Sequence, residues 1–433
     1  MMRSMYSGVS GLRVHQNKMD VIGNNIANVN TVGYKRQSVT FQEVFSQVIR
    51  GASAPQDGKG GTNPQQIGLG VNLGAINTIH TKGPAQRTDN PEDLMIDGEG
   101  FFVVSDDVNN ENRYYTRAGN FTLDRDGNLV TADGYKVLGY EYDGEEVTNT
   151  VKPIQINRSE TVGATATTKI NIRGNLDSRI PKYDETNPSE ESEHYADTVI
   201  KDSLGNSYTV TFKFVKESEG TDDEASWSVT VAKIIDHATN DPLENTPNLS
   251  EEVKLQFDKN GELKDESVTS ATLEITKEEV NFGDEEGKIL IDFSDLTQYA
   301  NDMDAKPYAE DGNSSGKLEG YAIDASGTVV GIFTNGERKA LYQLMLAKFD
   351  NPMGLQKMGG NFFVDTRNSG EPQLGTAGSS GYGPIAPGTL EMSNVDLSME
   401  FTEMITTQRG FQANSRIITT SDEMLQELVN MKR

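Results

Sequence analysis

A seven-residue repeat near the C-terminal end constrains this chain more than any other feature. Leu397, Met404, Phe411, Ile418 and Leu425 are apolar at every step of seven. Phe401, Gln408, Ser415, Asp422 and Val429 form the alternate series, apolar at its ends and polar in its centre. Together they describe a helical seam with one strong position and one diluted one. At the other end Met5, Val9, Leu12, Gln16, Met19, Ile22 and Ile26 recur at spacings of three and four, an apolar stripe down one helix. A lone helix of this kind is marginal in water, so neither stripe can stay unpartnered. The ends are expected to pack on each other or on neighbouring subunits. The plainer alternative is two amphipathic helices laid on a globular core; matching helices at both ends favour assembly.

The stretch "DVIGNNIANVNTVGYKRQ", residues 20–37, keeps helical time as far as Ile26 and then loses it. Asn24, Asn25, Asn28 and Asn30 compete for nearby backbone groups and are expected to fray and stop the helix, with Gly33 permitting a turn. A phosphate-binding loop would need a glycine-rich turn leading from strand into helix, and here the helix comes first. The asparagine run reads as a joint.

Charge and composition exclude several functions. The net charge of −27 is concentrated: residues 141–310 hold 38 acidic against 16 basic side chains, a net of −22. Such a middle repels phosphate backbones, which argues against nucleic-acid binding. With no cysteine there are no disulfides, thiolate catalysis or cysteine-based zinc sites. The four histidines (His15, His80, His194, His237) are too scattered for ligand spacing. No segment reaches transmembrane length, so no membrane insertion is expected. The N-terminal stretch lacks the unbroken apolar core of a cleaved secretory signal. A length of 433 residues implies two to four domains.

The body reads as β. Runs such as "FFVVSD", "YTVTFKFV", "SWSVTVAKII" and "ILIDF" are separated by turns about every ten residues, which suits antiparallel sandwiches or barrels. A hairpin device repeats in "LDRDGNL", "FDKNGEL" and "IDASGTV": Asp, two residues, then Gly, as in a type I turn closed by a left-handed glycine bulge. A calcium loop at Asp124, Asp126 and Asn128 is disfavoured, because Gly127 and Tyr135 stand where that loop wants other residues. "GLGVNLG" is not a dinucleotide fingerprint, and no catalytic triad order or nucleophile elbow occurs. No cofactor, metal or catalytic residue is assigned. Trp227 is expected to anchor a core, and Arg338, Lys339, Lys348 and Lys357 to be solvated strand-edge charges.

"SGLRVHQNKMDVIGNNIANVNTVGYKRQ" is similar to the N-terminal signature of the bacterial flagellar rod and hook proteins. "SNVDLSMEFTEMITTQRGFQANSRIITTSDEMLQELVNMKR" is similar to their C-terminal signature. "IDFSDLTQYA" and "GKLEGYAIDASGTVVGIFTNGERKALYQLMLAKFDNPMGLQKMGGNFF" resemble the hook branch of that family. The resemblance implies a multi-domain α+β protein whose terminal helices (1–35 with 393–433) form a coiled-coil-like inner layer. Linkers at 36–75 and 366–392 would lead to nested antiparallel β domains, 76–150 with 308–365, and an inserted acidic outer domain at 151–307. It further implies a homopolymer, the curved extracellular hook that joins rod to filament and transmits torque. Rod, hook-cap and hook–filament junction proteins would be its partners, and export would run through the flagellar apparatus without signal cleavage. A distal-rod-like axial component is the alternative within the family, and a secreted β-rich adhesin the one outside it. The stretch "FQEVFSQVIRGASAPQDGKGGTNPQQIGLG" resembles the linker of the distal rod. Its second half is a flexible loop on composition alone, and one that could order against a neighbour in a tube.

Overall fold

The computed structural model describes residues 2–55, 60–144, 146–181, 183, 192–218, 225–239, 241–243, 249, 253–264, 269–275, 281–283, 287–379 and 381–431. It divides into two compact units. Unit 1 comprises 1–157, 321–330 and 340–433, and unit 2 comprises 158–320 and 331–339.

Unit 1 starts and ends in long helices, α1 (Met2–Ala27) and α2 (Leu397–Met431). Asp396 caps α2: its carboxylate accepts the N–H of Ser398 at 2.8 Å and of Met399 at 3.3 Å, meeting donors that a helix start leaves open. Between the helices lies an antiparallel sheet. The strand Phe101–Ser105 pairs with Tyr114–Thr116 and with Lys136–Asp143. The long strand Arg338–Lys348 lies against both Lys136–Asp143 and Phe101–Ser105. Phe101, Val103, Tyr115, Leu138, Met345 and Phe363 form its core. The outgoing and returning chains are zipped together: Ala85–Arg87 pairs with Thr389–Glu391, and Leu94–Ile96 with Ile385–Pro387. These short ladders deliver α2 back to α1.

The segment after α1 is not a loose loop. β1 (Gln37–Glu43) pairs with β4 (Val71–Thr78), and β2 (Ser46–Arg50) with β3 (Gln65–Gly68), all antiparallel. The result is a two-stranded arm, and residues 56–59 at its turn lie outside the described ones. Hydrogen-bonded pairing fixes a backbone that composition alone leaves free.

Unit 2 is a sandwich around one apolar core. A four-stranded antiparallel sheet runs Glu193–Lys201, Ser207–Ser218, Ala225–Asp236, Val253–Phe257. Its alternation is interrupted only at a bulge beside the buried Thr211: Tyr208, Val210, Phe212 and Phe214 are buried, as are Val253, Leu255 and Phe257. The facing sheet centres on Lys169–Asn175, whose Ile170 and Ile172 join the same core. This sheet departs from the all-antiparallel expectation, because Lys169–Asn175 pairs in parallel with Lys288–Asp292 and Leu296–Thr297. Parallel neighbours need a long crossover, and here the whole four-stranded sheet supplies it. Trp227 is fully buried in the core, as expected.

The Asp-x-x-Gly hairpins fold as read, and a fourth occurs at Asp202. In each, the glycine N–H donates to the aspartate carbonyl: Gly127 to Asp124 at 3.2 Å, Gly205 to Asp202 at 3.0 Å, Gly261 to Asp258 at 3.1 Å, Gly327 to Asp324 at 3.0 Å. The glycine φ lies between +79° and +87°, which a side chain would strain. Asp124 spends its carboxylate on the N–H groups of Asp126 and Asn128 and on the Asn128 amide, so turn closure explains the acidic run.

Candidate assembly surface

α1 and α2 pack antiparallel, and their seam is small and polar. The hydroxyls of Ser4 and Ser421 meet at 3.5 Å, Lys18 pairs with Glu403 at 3.1 Å, and the Asn25 amide donates to Glu400 at 3.2 Å. Between these points glycines bring the helices close. A Cβ on Gly8 would stand 3.3 Å from Ile418, one on Gly11 2.8 Å from the Asn414 side chain, and one on Gly410 2.7 Å from the His15 ring. On α2 the inward series is Glu400, Thr407, Asn414 and Ser421, also at steps of seven. On α1 the buried positions are Gly8, Gly11, Val14, Ile22 and Asn25, with the half-buried His15 and Lys18 also reaching α2.

The apolar series lie beside this seam. Met5, Leu12, Met19 and Ile26 are half-buried on α1, and Met404, Phe411, Ile418 and Leu425 are half-buried on α2. Ile22 is buried. Val9, Leu397, Phe401 and Val429 stand open, Val429 to 67%. Further apolar side chains are uncovered on α2 (Ile405, Ile417, Met424, Leu428) and on the arm (Phe41, Val44, Phe45, Val48, Ile49, Ile67). Burial of such side chains against a partner is worth on the order of 1.5–3 kcal/mol each.

The joint is a polar node, and the asparagines do more there than stop a helix. α1 continues through Asn24 and Asn25 to Ala27; Asn28 ends it by turning its amide back onto the Asn24 carbonyl at 2.9 Å. Asn25 is buried and fully used. Its amide donates to the Gln37 carbonyl and to Glu400, while its oxygen accepts the Tyr34 hydroxyl and the Gln37 N–H. Beside it Lys35 and Glu391 pair at 2.6 Å with no side-chain exposure, and Arg117 reaches the other Glu391 oxygen at 3.5 Å. Burial pushes the Lys35 ammonium and the Arg117 guanidinium below their usual pKa, an effect that Glu391 partly offsets. Removing one member of such a buried cluster costs on the order of 3–5 kcal/mol. Lys357 is a correction to the strand-edge reading: half-buried, it donates to the Lys35 carbonyl at 3.2 Å and lies 4.7 Å from the Tyr34 ring centroid. Lys348 pairs with Glu99 at 2.6 Å, whereas Arg338 and Lys339 are exposed.

Sequence reasoning missed Gly8, Gly11, Lys35, Arg117, Glu391, Glu400 and Asn414, and took Asn25 for a helix stop when it is a buried node within the helix. The second seven-step series, Glu400 to Ser421, was there to be read, but polar residues at that spacing are ordinarily taken for a solvated face.

Among the described residues no helix is long and apolar enough to cross a membrane. Comparison with known proteins gives four family matches. Residues 5–35 match a family described as "Flagella basal body rod protein", and 95–176 match "Flagellar hook protein FlgE/F/G D1 domain". Residues 175–313 match "Flagellar basal body protein FlaE D2 domain", and 386–431 match "Flagellar basal body rod FlgEFG protein C-terminal". The flagellar hook protein FlgE of Borreliella burgdorferi is 41% identical over 100% of both chains. That of Treponema pallidum is 36% identical, again over 100% of both. A crystal structure of Helicobacter pylori FlgE2, a hook protein, shares the fold with a TM-score of 0.53 at 16% identity, covering 71% of this chain and 100% of that one. With similarity of this extent running from end to end, the chain belongs to the bacterial flagellar hook and rod protein family.

Proposed function

We propose that this chain is the structural subunit of a flagellar hook, a curved tubular homopolymer that joins rod to filament and transmits torque. The observation that carries this reading is full-length similarity to hook proteins, acidic middle included. The uncovered apolar side chains of α1, α2 and the arm support it, since a partner must cover them and copies of the same chain are the economical source. In this reading residues 1–35 and 393–433 line the tube, with 36–75 and 366–392 as the segments leading outward. A domain of 76–150 with 308–365 follows, although 308–320 and 331–339 of it cluster with unit 2, and 151–307 forms the outer surface. Met5, Val9, Leu12, Met19, Ile26, Leu397, Phe401, Met404, Phe411, Ile418, Leu425 and Val429 supply the subunit contacts, whereas Ile22, expected among them, is buried within the chain. The role is mechanical rather than catalytic. The subunit leaves the cell through the flagellar export apparatus with its N-terminus uncut, and it meets rod, hook-cap and hook–filament junction proteins at the two ends of the tube.

The test is electron microscopy of isolated hook–basal bodies labelled with an antibody to residues 151–290. Label along the curved segment is expected. Label confined to the rod would replace this reading with that of a rod subunit.

A further inference from the structure

Unit 1 contains a cavity of about 270 Å³ lined by His80, Phe101, Arg117, Phe349 and Pro352, with Glu99, Lys348 and Asp350 also on its wall. Two observations about this cavity are unused by the assembly reading. The first is an unmet donor. Arg117 is 95% buried; its two terminal nitrogens reach the Ile96 and Gly98 carbonyls and Glu391, but its Nε has no partner. Beside it the His80 ring is held against Phe101 and Phe363, with its N–H directed to the Pro352 carbonyl.

The second is a charge imbalance. Burial first, and then the charges of Lys35, Arg117 and Lys357, hold the His80 imidazole in the neutral form. Against these three cations stands one buried carboxylate, Glu391, whose oxygens are already taken by Lys35, Arg117 and the Gly83 N–H. Of the other carboxylates on the wall, Glu99 is neutralised by Lys348, while Asp350 accepts only the neutral Gln373 amide and keeps its charge, so the excess is one positive charge. A water molecule would meet the donor but leave the charge unbalanced, and uncompensated buried charge is costly. An N–H donor without an acceptor and a surplus of positive charge ask for the same thing.

We propose that this cavity is a binding site for a small oxyanion, a carboxylate or a phosphate group, held by Arg117 Nε beside the His80 ring. Phe101, Phe349 and Pro352 leave room for an acetate-sized group or one phosphate. The anion is either a free solute or an acidic side chain of a second copy of this chain, and the two sources share one chemistry.

The test uses full-length chain labelled with ¹⁵N at its four histidines, the His80 signal being assigned by its loss in His80→Phe. Unassembled protein is titrated with inorganic phosphate or acetate against chloride at matched ionic strength. Phosphate or acetate is expected to raise the His80 pKa by about one unit or more, because a neighbouring anion favours the charged imidazole, while His194 and His237 stay put. Lys357→Met, which removes one surplus cation, should weaken that response several-fold. Solid-state spectra of the assembled polymer in anion-free buffer separate the sources. A raised His80 pKa there assigns the oxyanion to a second copy, and an unchanged one leaves a free solute. If neither anion nor assembly moves His80, the proposal fails, whether or not the chain is a hook subunit.

Discussion

The sandwich interior of unit 2 and the seam between α1 and α2 are built on opposite plans. The interior is closed: Tyr208, Phe212, Phe214, Trp227, Leu255 and Phe257 are all within 1% of complete burial and interlock between two sheets. The seam is left open, with glycine, serine, asparagine and one glutamate at its centre and most of its apolar side chains half-covered at the margins. A closed core stores its stability inside one chain. An open seam holds two helices in register yet keeps their apolar flanks for a further partner. The difference teaches where to look for each property: folding stability in the interior of unit 2, assembly along the helices.

Breaking the interior should produce the largest effect on folding and the smallest on assembly. Trp227→Ala is expected to cost unit 2 about 3–5 kcal/mol, the usual range for emptying a buried aromatic site. Calorimetry should show the loss, while hooks grown below the new melting temperature keep their normal number. Loss of hooks from a chain that still folds would move assembly contacts into unit 2.

The joint between helices and body should respond to acid. His80 has its pKa pushed down to about 4 from an ordinary 6.5, first by burial and then by Lys35, Arg117 and Lys357. The unfolded chain therefore takes up this proton first. The stability owed to neutral His80 is fully present above pH 6.5, drains as pH falls, and is gone below about 4. The loss is roughly 3 kcal/mol across that window. His80→Phe, which keeps an aromatic ring beside Phe101 and Phe363, should flatten this part of the pH profile in chemical denaturation. An unchanged slope would show that carboxylates elsewhere carry the acid sensitivity.

The seam itself is best tested by size. Gly11→Leu places a side chain where even a Cβ meets Asn414 at 2.8 Å. Overpacking of this kind costs about 1–3 kcal/mol, and here the helices can relieve it by separating. Polymerisation measured by sedimentation should drop steeply, with the unit 2 transition unmoved. Phe411→Asp should act in the same direction from the flank, by burying an unpaired carboxylate in the assembled form. Normal polymers from both variants would remove the helices from the assembly surface.

How much of this was legible follows the same division. In unit 2 the period-two alternation of "YTVTFKFV" and the Asp-x-x-Gly turns carry their own structure, because burial and turn closure are local decisions. The helices were legible as helices for the same reason. What the pattern hid was their inward face: apolar periodicity points to Met404, Phe411 and Ile418, while the α2 face that meets α1 is centred on Glu400, Thr407, Asn414 and Ser421. Polar groups become interior only when a distant residue satisfies them, as Asn25 does for Glu400 across 375 positions. The parallel pairing of Lys169–Asn175 and the triad of Lys35, Arg117 and Glu391 are hidden likewise, since each joins residues more than a hundred positions apart.

The finest form of the comparison sets two copies of one turn against each other. Asp202 and Asp258 begin the same hairpin device, with the glycine three residues on in the same left-handed conformation. Asp202 is fully buried, and besides the N–H groups of Leu204 and Asn206 it accepts the Asn206 amide and the buried Tyr208 hydroxyl at 3.2 Å. Asp258 does similar work for Asn260 and Glu262, but it is only half-buried and water reaches its hydrogen bonds. Its carboxyl is held below the usual range, chiefly by the Glu262 N–H. Asp202→Ala should cost about 1–3 kcal/mol, because it strands polar groups that water cannot reach. Asp258→Ala should cost the least of all the changes considered, since water replaces what the carboxylate gave. Denaturant midpoints of the two variants, measured at one pH near neutrality, decide the matter. Equal losses would mean that the turn alone sets the energetics and that burial adds nothing, which would undo the contrast between closed interior and open surface at its smallest scale.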